Sequence, residues 1–463
     1  MITRIEIDGF KSFERFSLAL PPFAVILGPN AAGKSNLFDA LRLLSRLAIS
    51  DVRTAMRELR GEPIELFRRL PDGRIARRMA FAVETLLDPS VRDDFGEELM
   101  LGHTRVRYEI AIVRREEDGI ERFFVEHEQA IPIHRKDDRW RPYGQAVSRS
   151  FAKIFIPRSS RRSNFLETVD EGQQRYFELR QDGTAGRQRK LPAREAYRSV
   201  LSGISLVQEF PHLYALKMEL ANLRYLQLDA SSERLPSPID ASEVLENDGS
   251  NVAAVLFRIR AETTSLTAPE GALSDIRNDL VTMVPGIVDL AVTRDDEKRE
   301  YRLELRMRDG QVFNARVLSD GTLRILALLT LLHDPRQRGV LCFEEPENGV
   351  HQTRLRALMT FLEDSCTDPS SDTVDSDQPF RQIIVNTHSP IAARVVRRSV
   401  ILAGMSTLVE PGDQGGVTSR TVMRPYEIAE QEELFDEEPK KHLATRRQIE
   451  QLLEASEIAD WAA

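Results

Sequence analysis

The sequence has few of the residues that define several large protein classes. Its 463 residues include only two cysteines, Cys342 and Cys366, which excludes a disulfide framework and a cysteine-rich zinc site. The eight histidines form no H-E-x-x-H pair. The longest apolar run, residues 325–332, is too short to cross a bilayer, and the first residues lack the apolar core of a secretion signal. We therefore expect a cytoplasmic protein with no membrane segment.

Charge is distributed unevenly along the chain. The net charge is −9, which argues against a generally positive surface. Residues 135–194 are the exception, because they contain fifteen Lys or Arg and seven Asp or Glu, interleaved with aromatic residues. The densest cluster contains Arg158, Arg161 and Arg162. Nucleic-acid binding by this segment is one hypothesis, and a solvated face or a partner-protein surface is the alternative.

A phosphate-binding loop is the clearest motif in the chain. Residues 28–35 satisfy the pattern G-x-x-x-x-G-K-[ST] at every fixed position. The apolar run 23–27 before it is typical of a buried strand, and apolar residues follow at helical spacing up to residue 45. Backbone N–H groups of such a loop surround phosphate oxygens, while Lys34 reaches the β- and γ-phosphates and the Ser35 hydroxyl binds Mg²⁺.

Antiparallel strands are predicted after this loop and its helix. Apolar residues alternate with polar ones around 79–83 and 106–112, and Asp118 and Gly119 predict a hairpin turn between the second run and 120–133. A further helical pattern covers 193–226. We interpret residues 134–240 as a basic, partly helical insertion that leaves the core and returns to it.

Three more blocks lie in the second half of the chain. Ser319 is placed to cap a helix whose apolar stripe runs from 323 to 331. The predicted strand 340–343 ends in E-E-P-E at 344–347, and the predicted strand 383–386 ends in T-H-S-P at 387–390. Adjacent residues of a strand point to opposite faces, so two neighbouring carboxylates can serve one ligand only where the strand ends. The proline at position 346 ends it.

These blocks, in this order, resemble an ABC-type ATPase of the SMC/RecF/OLD branch. The matching blocks are the entry strand with G-F-K-S-F at 9–13, the Walker A loop, an L-S-x-G signature at 318–321, the Walker B acids and the T-H-S-P switch. The resemblance implies an α/β fold, in which a P-loop ATPase head with a mixed sheet carries an antiparallel β subdomain. It covers roughly residues 1–130 and 241–400.

We divide the chain into four parts on this basis. Residues 1–133 form the first lobe of the head, with the Walker A loop and the β subdomain. The basic insertion covers 134–240. Residues 241–405 form the second lobe, with the signature, Walker B and switch blocks, and 406–463 form a tail with an amphipathic helix at about 440–457. That helix either docks a partner or packs on its own head.

The resemblance also assigns roles to single residues. Glu344 would hold Mg²⁺, together with Ser35, and Glu345 would accept a proton from the attacking water or orient it. His388 would contact the γ-phosphate as a switch.

Further residues would complete the nucleotide site, with ATP and Mg²⁺ as the cofactors. In the Walker A loop, Asn30, Gly33 and Asn36 join Lys34 and Ser35 as nucleotide-binding residues. Ser319 and Gly321 would contact the nucleotide bound by a second subunit, so the resemblance implies at least a homodimer.

Several features depart from the family pattern. No glutamine precedes Gln129, so the coupling glutamine that follows Walker A in many cassette ATPases has no counterpart. OLD proteins with a nuclease domain carry it after the switch strand, but here only Glu410 and Asp413 weakly resemble its opening motif. We expect ATP hydrolysis without nuclease activity.

The expected function is an ATP-driven dimeric switch in anti-phage defence. It would couple nucleotide state to DNA or to a separate effector protein, a nuclease or a toxin. The alternative is a RecF-like repair or maintenance clamp that binds DNA without a dedicated effector.

Overall fold

The structure, a computed structural model, describes residues 1–93, 95–157, 159, 161–181, 188–372, 380–396, 399–409 and 417–425. Arg158, Glu410 and Asp413 and the tail helix predicted at 440–457 lie outside these residues. The architecture is α/β with mixed sheets, as predicted from the sequence.

The elements alternate between long antiparallel stretches and strand–helix units. The strands are β1 Ile2–Asp8, β2 Phe16–Ala19, β3 Phe23–Leu27, β4 Arg78–Leu86, β5 Ser90–Arg92, β6 Glu98–Met100, β7 Arg105–Glu117, β8 Ile120–Pro132, β9 Leu166–Glu171, β10 Gln174–Arg180, β11 Gln188–Pro192, β12 Arg224–Leu226, β13 Ser237–Pro238, β14 Ile287–Asp295, β15 Glu300–Met307, β16 Val312–Asn314, β17 Gly339–Glu344, β18 Arg381–Thr387, β19 Val400–Val409 and β20 Val417–Pro425. The helices are α1 Lys34–Leu47, α2 Val52–Arg57, α3 Arg149–Phe155, α4 Pro211–Ala221, α5 Ala230–Glu233, α6 Val252–Thr263, α7 Leu273–Met283, α8 Asp320–Leu332, α9 Gln352–Asp364 and α10 Pro390–Val395.

A six-stranded sheet forms the centre of the head. Its order is β12-β17-β18-β3-β19-β20, and every neighbouring pair is parallel except β19 and β20. Both faces are covered: Ala24 and Ile26 of β3 belong to one hydrophobic cluster, and Phe23 and Val25 belong to the other. Burial of both faces explains why the sequence of β3 is continuously apolar instead of alternating.

An eight-stranded antiparallel sheet is the second large layer, in the order β11-β10-β9-β8-β7-β4-β1-β2. The hairpin of β7 and β8 turns at Asp118 and Gly119, which have φ angles of 54° and 76°. Two successive positive φ angles characterise a type I′ turn, whose twist matches that of the strands. The hairpin predicted from the sequence is confirmed.

The basic segment 134–240 differs from the predicted insertion. Strands β9, β10 and β11 extend the antiparallel sheet, and β12 joins the central sheet beside β17. Of the region 193–226 that was predicted to be helical, only α4 forms an α-helix. This helix begins at Pro211, because proline has no N–H group that would need a partner at the first helical position. The pairing of β12 with β17 joins residues more than a hundred positions apart, which a local pattern cannot reveal.

The segment after residue 405 also differs from the predicted tail. Strand β19 continues to Val409 and pairs with β20 along its whole length. This hairpin is an edge of the central sheet, and β20 lies against the region of the phosphate loop.

Candidate functional site

The predicted phosphate loop, Walker B acids and switch residues meet at one edge of the central sheet. Strands β17, β18 and β3 are parallel neighbours, with Glu344 level with Asn386 and Thr387 level with Leu27. Because carboxyl ends of parallel strands share an edge, the loops that follow them are adjacent. The structure thus brings together segments that are more than 300 residues apart in sequence.

The two fixed glycines of the loop are required by the β19–β20 hairpin as well as by phosphate. A Cβ atom at Gly33 would lie 1.9 Å from Oγ1 of Thr421, and one at Gly28 would lie 2.4 Å from the carbonyl oxygen of Ala403. Gly33 also has a φ angle of 85°, which disfavours other residues. The hairpin therefore holds the loop from one side.

Lys34 is turned into its own loop. Its Nζ donates hydrogen bonds to the carbonyl oxygens of Gly28 at 2.6 Å and Pro29 at 2.9 Å. Burial lowers the pKa of Lys34, and the carboxylates of Glu345 and Glu347 partly offset that effect. A cation at this position faces both the loop and the Walker B acids, as a phosphate ligand requires.

The other predicted loop residues differ in their surroundings. Asn30 is exposed and Ser35 is half-buried at the start of α1. Asn36 donates from Nδ2 to Oγ of Ser12 at 2.8 Å, and that hydroxyl also contacts Oγ1 of Thr421 at 2.6 Å. A cavity of about 510 Å³ adjoins Asn36 and is lined in part by Lys11, Ser12, Arg68 and Arg69.

The two Walker B acids face the site by different means. Glu344 is the last residue of β17, and its Oε2 accepts a hydrogen bond from Arg60 at 3.2 Å. Glu345 has a φ angle of 50°, and its Oε2 accepts a hydrogen bond from Nδ2 of Asn348 at 2.8 Å. The positive φ angle of Glu345 occurs where β17 ends and the chain turns. Both carboxylates remain near the same edge of the sheet.

Three residues near these acids were not identified from the sequence. Arg60 pairs with Glu344, and Tyr225 of β12 lies close enough that burial and the Glu344 carboxylate raise the pKa of its hydroxyl. Glu347 is the third; its Oε1 accepts hydrogen bonds from Oγ1 of Thr387 and from the backbone N–H of His388. The third acid of E-E-P-E was a visible signal for Glu347, whereas Arg60 and Tyr225 had none.

His388 faces the acids. Its Nδ1 lies 3.1 Å from Oε1 of Glu347 and 4.0 Å from Oε1 of Glu345, and its side chain is 50% exposed. The ring can therefore reach both the Walker B turn and solvent.

Buried oxygen atoms at this edge lack hydrogen-bond donors. Oε1 of Glu344, Oε2 of Glu347 and Oδ1 of Asn386 are buried and have no partner in the part of the chain that the structure describes. Oxygen ligands of this kind suit Mg²⁺, and buried acceptors without donors are costly unless a ligand satisfies them. The residues present therefore fit a nucleotide with a divalent cation.

The predicted signature residues form a separate group. Ser319 caps α8, since its Oγ accepts the backbone N–H of Thr322 at 3.3 Å and contacts the Thr322 hydroxyl at 2.8 Å. A Cβ atom at Gly321 would lie 2.3 Å from the carbonyl oxygen of Gly349. Among the hydrogen bonds of the described residues, none joins Ser319 or Gly321 to residues 28–36.

The basic cluster is only partly available to a ligand. Arg161 lies over the ring of Phe165 at 4.1 Å and donates from Nε to the carbonyl oxygen of Ser163 at 3.0 Å. Arg162 is exposed. Arg161 therefore stabilises its own loop, which the charge count alone did not indicate. Of the helices in the described residues, none is both long and apolar enough to cross a bilayer.

A short stretch of the chain is similar in sequence to a chromosome partition protein. Over 41 residues the chain is 49% identical to the chromosome partition protein Smc of Methanocaldococcus jannaschii. The match covers 9% of this chain and only 4% of that protein's length.

Three solved structures of Smc heads match the chain at low sequence identity. A Smc head bound to the C-winged helix domain of ScpA has a TM-score of 0.45 and 14% identity, covering 92% of this chain and 98% of that one. The Smc head with an extended coiled coil, bound to the C-terminal domain of ScpA derived from Pyrococcus furiosus, has a TM-score of 0.41 and 13% identity over 92% and 96% of the two chains. The Smc head domain of Thermotoga maritima has a TM-score of 0.36 and 14% identity, covering 92% of this chain and 99% of that one.

The family comparison is the decisive one. Residues 23–393 match the model of the family described as "AAA domain, putative AbiEii toxin, Type IV TA system". This range includes the Walker A loop, the signature, the Walker B acids and the switch, and the match confirms the resemblance inferred from the sequence. The chain belongs to this family of AAA domains.

Proposed function

We propose that this chain binds ATP with Mg²⁺, hydrolyses it, and acts as a dimeric switch in the cytoplasm. The observation that carries the proposal is the convergence of Lys34, the two Walker B acids and His388 at one sheet edge, beside buried oxygens without donors. Phosphoryl transfer depends mainly on positioning and charge stabilisation, and this edge offers both.

Each residue has a distinct task in this proposal. Lys34 neutralises phosphate charge, Ser35 and Glu344 hold Mg²⁺, and Glu345 takes a proton from the attacking water or orients it. His388 senses the terminal phosphate. When bound, Mg²⁺ neutralises charge on the phosphates.

We assign completion of the site to a second copy of the chain. Ser319 forms a hydrogen bond with Thr322, and the backbone of Gly321 packs against that of Gly349. In the described residues, neither forms a hydrogen bond with the phosphate loop. The N-terminus of α8 can stabilise an anion only if it lies next to one, and within the part of one chain that the structure describes the phosphate loop is not its hydrogen-bond partner. If each head presents this helix to the nucleotide of the other head, hydrolysis requires dimerisation. ATP would then favour the closed dimer.

The output of the switch is a separate effector in anti-phage defence. The family description, which names a toxin and a toxin–antitoxin system, supports an effector or toxin context. A nuclease or toxin bound to one nucleotide state of the head would be released or activated by the other state.

A RecF-like clamp is the second candidate. Exposed cations in the segment 135–162 favour it, because phosphate contacts depend on cations that are free of intramolecular partners. Charge reversal at Arg162 should weaken DNA binding by a similar factor for all sequences, whereas reversal at Arg161 would also disturb its loop.

Two variants test the ATPase proposal. Lys34→Ala should abolish ATP binding, while Glu345→Gln should bind ATP, lose hydrolysis by about a hundredfold or more, and accumulate as a dimer. Binding is measured by calorimetry, hydrolysis by phosphate release, and mass by light scattering. Hydrolysis by Glu345→Gln at the unsubstituted rate would reject the role given to Glu345.

A further inference from the structure

The second cavity of interest lies in the basic segment, away from the ATPase site. It has a volume of about 560 Å³ and is lined by residues at the start of β7, in the segment that follows β8, and in and around α3. None of its lining residues belongs to the phosphate loop, the Walker B turn or the switch. Its size falls in the range of small-molecule sites.

The rim of this cavity is positive. Arg135 and Arg141 line it and are exposed, and neither forms an ion pair with a carboxylate in the described part of the chain. Five cations nearby in the sequence are also exposed and form no ion pair with a carboxylate in the described residues. They are Lys136, Arg139, Arg149, Lys153 and Arg162. Many arginines elsewhere in the molecule are paired, as Arg107 is with Glu6 and Glu109. Two exposed cations at one opening favour an anion, and Arg141 also donates from Nη1 to the carbonyl oxygen of Trp140 at 2.8 Å.

The wall of the cavity is held in place by a buried arginine. Arg105 forms hydrogen bonds from Nε and Nη2 to both oxygens of Asp138, at 2.8 and 2.9 Å, and its Nη1 donates to the hydroxyl of Thr3. The ring of Trp140 packs over its guanidinium at 5.2 Å. The charge of Arg105 is thus already compensated, and the residue fixes the positions of Asp138 and Trp140 instead of binding a ligand.

Two buried rings, His103 and Trp140, form part of the wall. Nε1 of Trp140 is buried and forms no hydrogen bond in the described structure, while the His103 ring lies near backbone groups of Arg105 and Ile133. His103 and Trp140 are each only 6% exposed. Burial lowers the pKa of His103 to about 4, so its ring is neutral at physiological pH and offers one donor and one acceptor. An indole N–H without a partner beside a neutral imidazole suits a heteroaromatic ligand.

We propose that this cavity is a second binding site, which takes a nucleotide unit with its phosphate at Arg135 and Arg141 and its base toward Trp140 and His103. The cationic rim and the aromatic interior match the two ends of a nucleoside 5′-phosphate. The unit is either a free nucleotide or the phosphorylated end of a strand. The site does not depend on the ATPase proposal, because it shares no residue with the ATPase site.

The fluorescence of Trp140 tests the proposal directly. The chain has two tryptophans, so the full-length variant Trp461→Phe leaves Trp140 as the single reporter. Lys34→Ala in the same chain removes binding at the phosphate loop. Nucleoside 5′-monophosphates and a short 5′-phosphorylated single strand are titrated separately, and calorimetry measures binding independently of fluorescence.

We expect a saturable change in Trp140 emission with at least one of the two ligands. Arg135→Ala with Arg141→Ala should weaken binding about tenfold or more, because charge-assisted hydrogen bonds are lost. Ala146→Phe narrows the same cavity without adding a second tryptophan, and it should block binding without a change of charge. The matched control, Arg294→Ala with Arg308→Ala, removes two exposed cations elsewhere and should bind normally.

The outcomes separate the two sources. Binding of the mononucleotide identifies a free nucleotide, and binding of the phosphorylated strand alone identifies a strand end. Absence of binding by both ligands, binding without a change at Trp140, or equal affinity in the Arg135/Arg141 variant would overturn the proposal. Since hydrolysis of ATP is measured in the unsubstituted chain, either proposal can fail while the other stands.

Discussion

Glu347 connects the Walker B turn to His388. Its Oε1 accepts the backbone N–H of His388 at 2.9 Å, and the same oxygen lies 3.1 Å from Nδ1 of the His388 ring. It also accepts hydrogen bonds from Oγ1 of Thr387 at 2.7 Å and the backbone N–H of Ser389 at 3.2 Å. One carboxylate therefore holds the loop after β18 against the turn after β17.

Removal of this carboxylate should impair hydrolysis more than ATP binding. In Glu347→Ala, three donors lose their acceptor and His388 is no longer held, so we expect kcat to fall by roughly ten- to a hundredfold. Glu347→Gln keeps an oxygen acceptor and should retain much of the activity. Phosphate release and ATP calorimetry distinguish the two effects. Equal kcat in Glu347→Ala and the unsubstituted chain would remove the positioning role.

The contact between Thr421 and Ser12 should support nucleotide binding. Thr421→Val keeps the side-chain volume but removes the hydroxyl that contacts Ser12, which in turn holds Asn36. Loss of one hydrogen bond should weaken ATP binding by roughly fivefold. Thr407→Val, an exposed residue on the neighbouring strand, is the control. Calorimetry should show a difference between these variants; identical affinities would mean that the hairpin does not influence the site.

Mixed dimers should recover part of the activity. Lys34→Ala and Ser319→Arg subunits are each expected to be inactive alone. A mixed dimer contains one site with an intact phosphate loop and an intact opposing signature, so random mixing should restore about a quarter of the unsubstituted rate. Native mass spectrometry confirms that mixed dimers form. If they form without recovery, the two halves of the site do not come from different subunits.

Stability should fall with rising pH because of Glu233. Its two carboxylate oxygens are buried without hydrogen-bond partners, and burial raises the pKa of Glu233 to about 8, although Arg324 lowers it. The folded pKa exceeds the unfolded value of 4.5, so stability is highest below about pH 4.5 and is lost as pH rises through 8.

Glu233→Gln should remove this pH dependence. The amide cannot ionise, so the variant should differ from the unsubstituted chain by less than about 1 kcal/mol near pH 5 and gain on the order of 5 kcal/mol near pH 9. Urea unfolding at the two pH values measures the difference. Glu297→Gln, an exposed acid, provides the control and should change neither value. A constant difference between variant and unsubstituted chain at both pH values would contradict the titration of Glu233.

The purified chain should cleave no nucleic acid. OLD-type cleavage needs several carboxylates that hold Mg²⁺ away from the ATP site. After the switch strand the sequence offers Glu410 and Asp413, which lie outside the described residues. Incubation with DNA and RNA in the presence of Mg²⁺ or Mn²⁺ tests this. Cleavage that persists in Glu345→Gln and disappears in Glu410→Ala would restore a nuclease to the chain.

Motifs and periodicity identified much of the head before its structure. The strand before the phosphate loop, the hairpin at Asp118 and Gly119, and the helix after Ser319 are all encoded by neighbouring residues. Such signals survive in the sequence because backbone geometry at each position depends mainly on residues nearby. The Walker and switch motifs indicated which strands would carry the site.

Long-range pairing accounts for what the sequence did not predict. Strand β12 has only three residues and is recognisable only beside β17, and strands β9 to β11 became visible only as an extension of the antiparallel sheet. A strand at the edge of a sheet obtains its hydrogen bonds from a partner that may be any distance away in sequence, so its own residues specify it weakly.

By itself, the sequence determined the family, the order of the motifs and the residue types of the proposed nucleotide site. Only the tertiary structure decided that Glu347 holds His388, that Thr421 packs against Gly33, and that Arg60 and Tyr225 lie beside Glu344. The reason is physical: a motif encodes local backbone geometry and chemistry, whereas these contacts arise from the order of the central strands, which brings distant side chains to one edge.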